Sequence, residues 1–250
     1  MKIAVCVKRV PDMEARFKIA TDGKSIDTAG LKFDINDFDA WAVEAALQLR
    51  EKAGAGEVTI ISLGPDAVQE TIRKALSMGA DSGIQLVAED VPADGFAIAA
   101  AIAAELEGGS YDMVLFGKQA PDSANGVVGT MVAELLGYAC VSALNKLEVN
   151  GGSGRAERAV EGGTEVIEFQ LPAVLTVDEG LNQARYPNLK GIMAAKKKPI
   201  EKKPAQLGEV TVTVASMEMP PERAPGRIIG EGPDAVPELV KLLQTEAKVL

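Results

Sequence analysis

The residues best placed to do chemistry run from Gly117 to Thr130, Gly-Lys-Gln-Ala-Pro-Asp-Ser-Ala-Asn-Gly-Val-Val-Gly-Thr, between a strand-like apolar run at 113–116 and a helical pattern near 126–136. Small residues let backbone N–H groups approach a ligand closely. A helix start adds unpaired N–H groups and the positive end of the helix dipole. A phosphate or pyrophosphate suits such a place. The spacing matches neither a Walker loop nor GxGxxG, and by itself the run also reads as a plain strand-to-helix turn with Ser123 as N-cap. The chain has no histidine. That removes Ser-His-Asp and Cys-His catalysis and His-ligated metals from consideration. Cys6 and Cys140 form no CxxC pair and lie in apolar runs, so both are predicted to be buried free thiols.

A second stretch, residues 178–198, invites a different chemistry. Pro187, Gly180 and Gly191 keep it from being a strand. It nevertheless carries Leu181, Tyr186, Leu189, Ile192 and Met193. Residues 185–203 hold seven Lys or Arg against one Glu, on a chain whose net charge is −10. A basic, partly apolar loop on an acidic body has the character of a docking surface; the bland alternative is a solvated linker. The overall pI near 4.7 speaks against general nucleic-acid binding.

These residues need elements to position them. Apolar runs at 2–8, 58–63, 84–87 and 113–116 alternate with helical patterns at 38–53, 66–78, 97–106 and 126–136. Continuous apolar strands alternating with helices predict a parallel sheet covered on both faces. Residues 8–12 read as a turn, and 13–35 as an excursion or small hairpin. Asn36 or Asp37 is the expected cap of the first helix. Strand candidates at 141–149, 156–160, 165–170 and 173–177, separated by Gly-rich turns, predict hairpins that extend the sheet. Residues 199–230 hold five prolines and little periodicity, which predicts an arm that stays off its own body and lies loose or along a partner. A short helix near 233–243 closes the chain. The expected organisation is an α/β domain at 1–198, including the loop at 178–198, and a C-terminal arm at 199–250. No segment approaches membrane-spanning length, and the N-terminus enters a strand at once, so the expected location is cytoplasmic.

The run Leu181-Asn182-Gln183-Ala184-Arg185-Tyr186, then Leu189, Ile192-Met193 and Lys196 to Lys198, resembles the signature of the electron-transfer flavoprotein beta subunit. The loop Gly117-Lys118-Gln119-Ala120-x-Asp122, the segment Asn36-Asp37-Phe38-Asp39, and the runs Val7 to Val10 and Ser62 to Pro65 are similar to the same family, so the likeness covers nearly the whole chain. It implies a Rossmann-like, adenine-nucleotide-binding fold and a structural AMP. The nucleotide would be held by Cys6, Val7, Lys8, Asn36, Phe38, Asp39, Leu63, Gly64, Gly117 and Gln119. Its phosphate would lie on the backbone of Asp122, Ser123, Ala124, Asn125, Gly126, Val127, Val128, Gly129 and Thr130, with Asn36 and Asp39 on the adenine side. The likeness further implies an alpha subunit carrying a redox-active FAD, with Met13 near that flavin. It implies docking to flavin dehydrogenases such as acyl-CoA dehydrogenases through Arg185, Tyr186, Leu189, Ile192 and Met193, with Leu189 at the tip. In this reading the protein is an electron carrier and not itself a catalyst.

Two departures stand out. Bifurcating members, which bind a second FAD in place of AMP, have Asp, Thr and Gln at loop positions that are missing here. Gln183-Ala184 stands where Glu-Pro is common. A second FAD with electron bifurcation is the first alternative. A stand-alone nucleotide-binding protein of the universal-stress type is another, although it needs no extension of the length seen at 178–230.

Overall fold

Ile3, Ala4, Val5 and Cys6 are apolar toward both sides of the chain, and such a strand is stable only with both faces covered. They form β1 (Lys2–Cys6), the central strand of the computed structural model, which describes residues 1–222 and 225–250. In chain order there follow β2 (Arg9–Pro11), β3 (Phe33–Ile35), α1 (Asp37–Ala53), β4 (Glu57–Gly64), α2 (Val68–Met78) and β5 (Ser82–Val87). Next come α3 (Gly95–Glu107), β6 (Met113–Gly117), α4 (Val128–Leu136), β7 (Ala139–Leu144), β8 (Lys146–Asn150), β9 (Ser153–Val160) and β10 (Gly163–Gln170). The chain ends with β11 (Ala173–Val177), α5 (Leu189–Ala195), β12 (Ile200–Pro204) and α6 (Val236–Leu242), the last framed by a 3-10 turn and a π-helical turn.

Seven strands make one sheet in the order β12-β5-β4-β1-β6-β11-β7, with every neighbouring pair parallel. Alternate residues of β1 feed two cores. Ile3 and Val5 pack with Ala42, Ala46, Ile72 and Leu76 of α1 and α2. Ala4 and Cys6 pack on the other side with Ala99, Ile102 and Val132 of α3 and α4. Helix α1 stops at Gly54, whose left-handed φ of 69° turns the chain back toward β4. The order reverses at β1: β4 lies on one side, β6 on the other. Such a switch opens a crevice beyond the carboxyl ends of the two strands.

Several expectations are corrected by this architecture. Residues 9–11 are not a turn but β2, paired antiparallel with β3. Of the candidates expected to extend the sheet as hairpins, 173–177 and the start of 141–149 do join it, as the parallel strands β11 and β7, and the others do not. β8, β9 and β10 form a separate three-stranded antiparallel sheet; the register of β7 shifts at Ala143, whose φ is 55°, and the chain leaves the main sheet after Leu144. Cys6 is buried, but Cys140 is exposed because β7 is the edge strand. The arm does not leave the body at 199: Ile200–Pro204 pairs with β5 as the opposite edge of the sheet. Beyond it, Ala205 and Gly208 donate to the carbonyls of Val87 and Ala97, and Met217 to that of Gly23. The predicted arm includes Arg223 and Ala224, which lie outside the described residues. No described helix is long and apolar enough to cross a membrane.

Candidate functional site

At the switch point lies a cavity of about 450 Å³, within the size range of pockets that enclose a whole small molecule. Its floor is the carboxyl ends of the central strands: Cys6, Val7 and Lys8 after β1, Leu63 at the end of β4, and Phe116 and Gly117 at the end of β6. The start of α1 supplies Asn36 and Asp39. The loop after β6 supplies Gln119, Asp122, Ser123, Asn125, Gly126 and Val127, and the first turn of α4 adds Val128 and Gly129.

Asp39 ties the two central strands together. It is 5% exposed, and its carboxylate accepts the N–H of Lys8 at 2.7 Å and the N–H of Gly117 at 2.9 Å. Burial pushes its carboxyl up to about 7, against the opposing pull of those two N–H groups, the Asn36 side chain and the charge of Lys8. Helix α1 can come this close because residue 117 is glycine: a Cβ there would lie 2.5 Å from both Phe38 Cβ and Asp39 Oδ1. Asn36 stands at the N-cap position without capping the helix. Its Nδ2 donates instead to the Gln119 carbonyl at 2.8 Å, while its buried Oδ1 has no partner. Burial also raises the Cys6 thiol well above its ordinary pKa, with Asp39 adding to the effect.

The loop from Lys118 to Val127 is pinned over its first half. Lys118 donates its N–H to Val177 O, and its Nζ pairs with Asp178 at 2.8 Å; Lys8 Nζ reaches Asp122 at 2.7 Å. Helix α4 begins at Val128 behind Val127, and no side chain caps it. Its first N–H groups therefore lack a side-chain acceptor beside the cavity. Ser123 is not the N-cap the sequence suggested; the helix starts five residues later, and Ser123 lines the cavity instead.

Four predicted residues stand outside the lining. Phe38 packs edge-on against Trp41 with Lys118 above its ring. Gly64 holds a φ of 148° at the end of β4, and Ala124 sits in the loop at a φ of 52°. Thr130 turns its hydroxyl back to Val127 O at 2.8 Å. Sequence reasoning missed one wall altogether: Val91, Pro92 and Ala93, between β5 and α3, and Gly95 at the start of α3. None of these has a reactive side chain. Their one signal was position, at the carboxyl end of a parallel strand.

The segment 178–198 forms a second surface. Tyr186 and Leu189 are 93% and 82% exposed, and Ile192 and Met193 are also exposed. Lys190, Lys196 and Lys197 stand around them. Arg185, expected in that surface, is turned onto its own body: Nε lies 2.6 Å from Glu44, a buried carboxylate, and Nη1 lies 2.6 Å from Glu51. Met13 is about half exposed, in the excursion after β2.

A model of the electron transfer flavoprotein domain matches residues 24–207. Over its full length the chain is 40% identical to the electron transfer flavoprotein subunit beta of Syntrophomonas wolfei, covering 98% of that protein. It is 39% identical to the subunit of the same name from Bradyrhizobium diazoefficiens, with both chains covered completely. With the human electron transfer flavoprotein subunit beta the identity is 37%, covering 97% of this chain and 98% of that one.

Proposed function

The chain belongs to the electron transfer flavoprotein beta-subunit family, and from that premise we propose that it serves as the nucleotide-holding, partner-docking half of a heterodimer. The alpha subunit of that heterodimer carries most of the FAD. The observation that carries this reading is the cavity at the switch point. One end offers the uncapped start of α4 to a phosphate. The other offers the unpartnered Asn36 Oδ1, an acceptor suited to the exocyclic amine of adenine. These residues fit an adenine nucleotide. The favoured occupant is AMP. Among the described residues the phosphate end presents backbone N–H groups but no unpaired cation, since Lys8 is already committed to Asp122 and Lys118 to Asp178. One phosphate is better matched to that donor set than a diphosphate with a ribityl chain.

FAD, when bound by the complex, supplies the redox chemistry. This chain's residues place and shield. Asp39 holds the β1 and β6 ends in register beneath the nucleotide. The residues after Pro204, with exposed Val210, Val212, Met219 and Ile228, reach across the alpha subunit. Met13 faces the flavin, and Tyr186, Leu189, Ile192 and Met193 contact flavin dehydrogenases of the acyl-CoA type.

Expression with and without an alpha subunit tests this. The chain alone is expected to be colourless, to aggregate readily and to be cleaved in its arm. Co-expression is expected to yield a 1:1 complex with a flavin absorption spectrum. A monodisperse flavin-free monomer that ignores the alpha subunit would contradict the proposal.

A further inference from the structure

Helices α2 and α5 hold each other by crossed caps, and we infer that Arg73 is a positioning residue that fixes the direction in which Leu189 and Met193 leave the surface. The Arg73 guanidinium, on α2, donates through Nη1 to Ala195 O and to Lys198 O, both at 2.6 Å. The first is the last carbonyl of α5 and the second lies in the turn that follows it. In return, Lys198 Nζ donates to Leu76 O at 3.1 Å and to Ala80 O, the carbonyls at the end of α2. The end of α5 is thus met by a cation from α2, and the end of α2 by a cation from the turn that follows α5, the favourable sign of the helix dipole.

The rest of α5 is equally tied. Asn188 accepts the Gly191 N–H at 2.8 Å, closing the front of the helix. Gly191 lies directly on α2, where a Cβ would come within 2.5 Å of Ser77 O. Ahead of the helix, Arg185 fastens the chain to Glu44 and Glu51 of α1. A helix of seven residues does not hold its shape unaided, so the geometry of α5 comes from these clamps. Among the described residues Arg73 has no carboxylate within ion-pair distance, whereas its neighbour Lys74 pairs with Asp34. Its charge is committed to the end of α5.

This matters for recognition because an apolar anchor held rigid before contact avoids the ordering cost that a loose loop meets on binding. The inference rests on the docking role given to α5 above. It adds a residue outside the loop, on a different helix, on which the loop's affinity depends.

The test uses the assembled heterodimer as wild type, Arg73→Ala, Arg73→Lys and Leu189→Ala. Amide hydrogen exchange over residues 191–198 reads the clamp. The KM and kcat for transfer from a purified acyl-CoA dehydrogenase read docking, and flavin reduction by dithionite is the control. Arg73→Ala is expected to speed exchange at 191–198 with α1 and α3 unchanged. It should raise KM about tenfold, as loss of pre-organisation predicts, and leave kcat and dithionite reduction alone. Arg73→Lys, which can still reach one carbonyl, is expected to recover part of both. Unchanged exchange overturns the positioning role, and Arg73→Lys decides the same point if Arg73→Ala does not assemble. Faster exchange with an unchanged KM overturns the link to docking, provided Leu189→Ala raises KM. If Leu189→Ala leaves KM unchanged, the docking role of α5 falls, and exchange still decides whether Arg73 is its clamp.

Discussion

Asp39 carries more of the site than any other side chain, and its charge state has a measurable consequence. Its folded pKa of about 7 stands above the value near 4 expected of an unfolded aspartate. Between those limits the folded state binds more protons, so the stabilisation is complete at about pH 4 and is lost as pH rises through about 7. This one group contributes a fall of up to about 1.4 kcal/mol per pH unit across that window. Asp39→Asn should flatten that part of the profile, and melting temperatures at pH 5 and pH 8 check it; an undiminished slope in the variant removes Asp39 as the cause. Gly117→Ala is a steric counterpart. The new methyl would meet Phe38 and Asp39 at 2.5 Å, with backbone on one side, so a loss of about 1–3 kcal/mol is expected from overpacking. Denaturant titration of the heterodimer reads it, and a neutral result would show that α1 slides freely over β6. The sequence marked both positions by type and place, but the bond from Asp39 to two strand ends was not legible. It joins residues 31 and 78 positions apart.

At the level of elements, α5 makes the sharpest claim. Leu189 is 82% exposed, so Leu189→Ala should shift stability by no more than about 0.5 kcal/mol. It should weaken transfer from a dehydrogenase by about 1–3 kcal/mol in apparent docking. A clear drop in melting temperature would mean the leucine packs on its own chain. The central strands were readable in advance because burial on both faces forces continuous apolar runs in β1, β4 and β6. The elements that were misread lack that constraint. β12, Ile-Glu-Lys-Lys-Pro, is a polar edge strand that offers only Ile200 to the core, too little apolar pattern to mark it. β2 and β3 have three residues each and are joined across the whole excursion. The strands β8 to β10 alternate in burial, and that pattern alone does not separate an added edge of the main sheet from a sheet of their own.

For the whole molecule, the arm is latched beside the cavity. Asp94 caps α3 through the Phe96 N–H, and its other oxygen accepts from Thr211 N, Thr211 Oγ1 and Val212 N, at 2.7, 2.9 and 2.9 Å. Bonds from Thr211 hold its carboxyl down to about 2, so this latch persists at all ordinary pH and is lost only as pH falls toward that value. Its neighbours Val91 to Ala93 and Gly95 line the cavity. Asp94→Ala should speed limited subtilisin cleavage within residues 205–222 of the isolated chain above the wild-type rate; an unchanged rate would show that the arm is held elsewhere. The central claim is that this cavity holds AMP while the flavin belongs chiefly to the alpha subunit. Denaturing the purified heterodimer and separating the released nucleotides by chromatography tests it most directly. One FAD and one AMP per heterodimer is the expected result; two FAD and no AMP would contradict it and make electron bifurcation the leading account.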